Sequence, residues 1–131
     1  MHKFSLPLAT LAAVAALTAA APATAQAAWQ QIASRALNAN AERDTLFASG
    51  EAGQREIRVC AANFALAVQT LEIHFDGGGT QSVSPAATLQ AGQCTNPIAL
   101  ASSNQAVDSV GITYTRPQSG AQAPRVRIDA R

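Results

Sequence analysis

From Arg55 onward the chain alternates: Ile57, Val59 and Ala61 fall on one side of a two-residue repeat, and Glu56, Arg58 and Cys60 on the other. A period of two sends successive side chains to opposite faces of an extended strand, and a helix cannot gather such a set into one stripe. The same pattern returns in short runs, at Phe64–Val68, Leu71–Phe75, Val110–Tyr114 and Val126–Ile128, separated by Gly, Pro, Asn and Ser. No sustained helical period follows the first 27 residues. The chain therefore reads as all-β, a small antiparallel β-sandwich of about seven to nine short strands.

The runs also carry local expectations. A first strand spans Ala28 to Leu37, with Trp29 as its large apolar residue, and Asn38-Ala39-Asn40 reads as a turn. In the run from Asp44 to Ser49, either Leu46 with Ala48 or Thr45 with Phe47 can share a face. Phe64, Leu66 and Val68 have one parity and Leu71, Ile73 and Phe75 the other, so an extra residue is needed between them. That predicts a β-bulge at Gln69-Thr70. His74 is a polar residue in an alternating strand, and Gly77-Gly78-Gly79 follows it directly. Glycine supplies the positive φ of a hairpin turn, with Thr80 to Ser84 pairing back. A phosphate loop would need a helix after the glycines, and Thr80 to Pro85 is a poor helix start. A short strand is expected at Pro97–Leu100 and a longer one from near Val107, ended by Arg116–Gly120. In the last strand Arg125, Arg127 and Asp129 share one face, a pattern suited to an outer or edge strand.

The chain opens with His2 and Lys3, an uncharged Ala/Leu-rich run from Phe4 to Ala21, then Pro22 and two A-x-A triplets at Ala23–Ala25 and Ala25–Ala27. This is the layout of a secretory signal peptide. We read residues 1–27 as a cleaved leader and residues 28–131 as a single domain, periplasmic or secreted, with no membrane anchor after cleavage. The chain has nine Lys and Arg against eight Asp and Glu. Lys3 leaves with the leader, so the domain is neutral, a poor match to nucleic acid or an anionic membrane. Two cysteines, Cys60 and Cys94, remain. In an exported chain an even count argues for a disulfide, and only one intramolecular pairing exists. The chain-entropy estimate for closing that loop is roughly 3–4 kcal/mol. Two cysteines and one distant histidine do not make a metal site, and no cofactor motif is present.

Several segments together resemble a group of small exported bacterial proteins of unknown function. They are Trp29, REIRVC at Arg55–Cys60, LEIHFDGGGTQSV at Leu71–Val83, LQAGQCTNPIAL at Leu89–Leu100 and VDSVGITYT at Val107–Thr115. The resemblance covers nearly all of the chain after the leader. It implies a small β-sandwich in which Cys60 and Cys94 pair, and it brings no catalytic residues. The chain departs from the group at Asn96–Leu100, where an acidic I-D-L version is usual, and at Ala101–Ala106, which lacks the usual Gly and Arg.

No arrangement of nucleophile, base and acid stands out, and no G-x-S-x-G elbow occurs. We therefore expect no catalytic residues. Three residues are candidates to face a ligand: Trp29 and Tyr114 as aromatic platforms, and His74. The expected function is a non-catalytic binding or structural module of the cell envelope, with an envelope protein or glycan as partner. The competing expectation is a small secreted hydrolase or carbohydrate-active protein with a site around His74.

Overall fold

The structure is a computed structural model of the chain and describes residues 28–38, 42–116 and 123–131. The leader reading (residues 1–27) lies outside the described residues, as do most of the Asn38–Asn40 turn and of the Arg116–Gly120 strand end. Among the described residues there are nine strands and no helix: β1 (Gln30–Ala36), β2 (Arg43–Phe47), β3 (Glu56–Ala61), β4 (Leu66–Phe75), β5 (Thr80–Val83), β6 (Ala87–Leu89), β7 (Ile98–Ala99), β8 (Val107–Thr115) and β9 (Arg125–Ala130). They form two antiparallel sheets. The smaller has the order β1-β9-β3-β7; the larger runs β2-β8-β4-β5, with β6 also pairing with β4. The fold is the expected β-sandwich.

Alternation accounts for the core. Ile57, Val59 and Ala61 of β3 and Val126, Ile128 and Ala130 of β9 turn inward from one sheet. Leu46 of β2, Leu71 and Ile73 of β4, and Val110, Ile112 and Tyr114 of β8 meet them from the other. At β2 the open choice resolves: Leu46 is buried, Ala48 just past the strand is partly buried against the core, and Phe47 faces out. The parity change in β4 falls where expected. The β4–β8 register shifts between Val68 and Thr70, Gln69 and Thr70 are both exposed, and Leu66, Val68, Leu71, Ile73 and Phe75 all stay inside. A second shift lies between His74 and Phe75. The glycine run makes the hairpin: β4 and β5 pair from His74↔Thr80 to Leu71↔Val83, and Gly78 has φ of 106°.

One placement differs from the expectation. β9 is not an edge strand; it lies between β1 and β3. Its charged alternation reports which face is outward, not which edge is open. Asp129, only 4% exposed, is held by the Nε groups of Arg58 and Arg127, each at 2.9 Å. The Arg58 pair runs sideways to β3 and the Arg127 pair runs along β9 itself, so charge on that face is compatible with a central strand. Sequence reading also passed over β6, three residues too short to show a period.

The two sheets are tied at their margins. Cys60 of β3 forms a disulfide with Cys94, whose segment runs along the outer edge of β3. Thr95 secures that segment: its N–H donates to Val59 O at 2.8 Å, and its hydroxyl accepts from Val59 N–H at 3.1 Å. Gln81 of β5 reaches to the other sheet, donating to Ala99 O at 2.9 Å and accepting from Ala101 N–H at 2.7 Å. Its amide thereby substitutes for a missing strand partner beside β7. On the opposite margin Ser49 N–H donates to Ile32 O of β1 at 2.9 Å.

Candidate functional site

The outward face of the larger sheet is a lattice fixed by strand register. On β8 alternation puts Ser109, Gly111 and Thr113 on the outward face, opposite the buried Val110, Ile112 and Tyr114, although Ser109 is itself covered, at 7% exposure. Gly111 pairs with Thr45 of β2 on one side and Glu72 of β4 on the other. The next row toward one end is Arg43, Thr113 and Thr70, and the row toward the other is Phe47, Ser109 and His74. Neighbouring strands are about 4.8 Å apart and successive outward residues about 6.8 Å apart. Eight side chains thus surround a position that has none. The result is a depression of about 250 Å³ lined by Arg43, Thr45, Thr70, Glu72, His74, Gly111 and Thr113.

The lining is polar and carries both signs of charge. His74 Nε2 lies 3.2 Å from Glu72 Oε1, and His74 Nδ1 lies 3.5 Å from the Thr80 hydroxyl. With the ring proton on Nε2, His74 donates to Glu72 and accepts from Thr80. Arg43 contributes the pocket's guanidinium. Arg35, Arg58, Arg127 and Arg131 each hold a carboxylate; Arg43 enters no such pair among the described residues. Phe47, at the corner of the lattice, is 76% exposed.

The three candidate ligand-facing residues do not come together. His74 lines the depression. Trp29 is half-buried beside the smaller sheet, with the guanidinium carbons of Arg58 and Arg131 at 4.5 and 4.1 Å from its ring centre. Those cations occupy the ring as a docking partner would, so Trp29 packs against its own protein. Tyr114 is fully buried and donates its hydroxyl to Asn38 O at 3.0 Å. It is therefore a core residue and not a platform. Burial, and to a smaller extent Asp44, raises its pKa above the usual phenol value, while Arg116 and Arg35 act the other way. Two aromatics are exposed among the described residues: Phe47, whose face the sequence leaves open, and Phe64, which the alternation groups with Leu66 and Val68 but which lies at the surface. The overlooked signal is Gly111, a glycine in the middle of VDSVGITYT.

Two antiparallel sheets, one disulfide and a polar depression on an outer sheet face define an all-β sandwich protein with a surface site. Within that class the chain belongs to a domain family of unknown function, DUF2541, whose model matches residues 9–130. This agrees with the resemblance read from the sequence at the level of an uncharacterised domain family. No curated protein and no solved structure matches the chain.

Proposed function

We propose that the protein is an exported, non-catalytic binding module of the cell envelope, and that it engages its ligand on the outer face of the larger sheet. The observation that carries this reading is the depression centred on Gly111, where seven residues from three strands converge on one concave spot. A concave site with a few convergent polar groups is the usual form of a binding site. The Cys60–Cys94 disulfide fits an oxidising compartment, in line with the leader expected at residues 1–27.

Glu72, His74 and Thr80 form an acid–histidine–hydroxyl chain, the one feature that favours a hydrolase. Its setting argues against that use. The side chains of His74 and Glu72 are 42% and 55% exposed, so water competes for both. Thr80 does not line the depression, and its hydroxyl is 3.5 Å from His74 Nδ1, at the outer limit of a hydrogen bond. Hydrolytic triads orient the base with a buried acid. His74→Ala is expected to leave every hydrolytic activity of the preparation unchanged.

The test is capture. The oxidised protein is immobilised, exposed to native envelope extract, and compared with a Gly111→Val variant that fills the depression. A component retained by the wild type and released by the variant is the expected result. Equal retention by both would place binding elsewhere and reject this face.

A further inference from the structure

Gly111 occupies the centre of a central strand without a conformational reason to be glycine. Its φ is outside the left-handed region, unlike Gly53, Gly78 and Gly92. A Cβ placed there would meet only Glu72 Cβ at 3.7 Å and Glu72 O at 3.9 Å, which is ordinary contact. Neither backbone shape nor crowding excludes alanine. A glycine inside a strand weakens it, and where no bulge or bend accounts for it, it marks close approach by a ligand or another backbone. No register shift occurs at Gly111, and among the described residues only those of β2, β4 and β8 line the depression.

The groups around the glycine describe what would approach. At about 250 Å³ the space lies below the usual range for drug-sized ligands, roughly 300–1,000 Å³, so it suits one or two small rings and not a folded peptide. Thr45, Thr70 and Thr113 offer hydroxyls that both donate and accept, the hydrogen-bonding habit of a polyol. Phe47, outside the lining but in the row next to Thr45 and Gly111, offers an exposed apolar face against which the C–H face of a ring can lie. Arg43 presents a planar fork of donors that matches a carboxylate, and it pairs with no carboxylate among the described residues.

Building on the binding-module reading above, we propose that the depression is a saccharide subsite for a sugar ring bearing a carboxylate. The ring sits over Gly111 against the β8 backbone with one edge on Phe47, its hydroxyls meet the threonines and Glu72, and its carboxylate pairs with Arg43.

The experiment is calorimetric titration of the oxidised full protein with trimers of galacturonic and glucuronic acid, and with the neutral galactose and glucose trimers of the same linkage. At least one acidic trimer is expected to bind about tenfold or more tighter than its neutral counterpart. Arg43→Gln should reduce it to the neutral level, Phe47→Ala should weaken both, and Gly111→Val should abolish binding. Gly111→Ala should weaken binding while its melting temperature is held or raised, which separates lost recognition from lost folding. Acidic trimers that fail to bind, that bind no tighter than neutral ones, or that bind Gly111→Val as well as wild type would each overturn the proposal. The capture experiment then separates the two levels. If no trimer binds but envelope capture still fails with Gly111→Val, the saccharide assignment falls and the binding face stands. If capture is indifferent to Gly111→Val, both fall.

Discussion

Tyr114 and Gly111 are three residues apart on one strand and show opposite relations between residue type and role. Tyr114 is the chain's single tyrosine, and its hydroxyl is buried against Asn38 O. Its raised pKa means that the unfolded chain ionises before the folded one. Folding stability is therefore complete below the unfolded phenol value near 10 and falls as pH rises through that value toward the higher folded one. Alkaline melting curves should show this fall, and Tyr114→Phe should remove it while costing about 0.5–1.5 kcal/mol at neutral pH for the lost hydrogen bond. Gly111→Ala, by contrast, should gain roughly 0.4–1 kcal/mol in urea denaturation, because alanine narrows the unfolded ensemble without strain in the fold. Sequence alone could not rank these two. An aromatic in an alternating strand is a platform or a core residue according to which face is inward, and only packing decides that. His74 was placed on the polar face correctly, yet its neighbours Arg43, Thr113 and Gly111 come from other strands, and cross-strand register is not written in any one segment.

At the scale of the element, the outer edge of β2 has backbone groups that side chains occupy. Asp44 accepts from the N–H groups of Thr45, at 2.9 Å, and Asn38, at 3.3 Å, while Arg35 donates to Thr45 O at 3.0 Å and pairs with Asp44 at 3.4 Å. Both backbone groups of Thr45 are thus occupied by side chains. An unoccupied edge is a template for another chain. Asp44→Ala should cost about 1 kcal/mol and, more tellingly, should increase concentration-dependent association in sedimentation velocity relative to the wild type. The elements themselves were largely legible: the parity change placed the bulge at Gln69-Thr70, and the glycine run placed the hairpin. The position of β9 was not, because Arg125, Arg127 and Asp129 define a face, and a face is the same for an edge and a central strand.

At the scale of the molecule, stability rests on one core closed by one covalent tie. Cys60 and Cys94 are 34 residues apart in sequence, and the loop between them contains the whole β4–β6 segment. Replacing both with alanine should lower stability by roughly 3–4 kcal/mol, read as a fall in the urea midpoint, and a domain of this size has only about 5–15 kcal/mol in total. Intact mass after alkylation without reductant should show no free thiol in the wild type. The pairing was legible because two cysteines leave one choice; the partnership of the sheets was not, because it depends on distant contacts such as that of Gln81 with Ala99 and Ala101.

The central position of β9 bears on the order in which the chain can fold as it is made. β1 and β3 are synthesised early, yet neither pairs with the other; the strand that joins them is the last of the nine. A growing chain that has reached residue 124 has no hydrogen-bonded middle for its smaller sheet, and half of its core has no wall. Until Arg125–Ala130 arrives, the smaller sheet stays split, with β1 on one side and β3 with β7 on the other, and the final strand then joins both parts in one event.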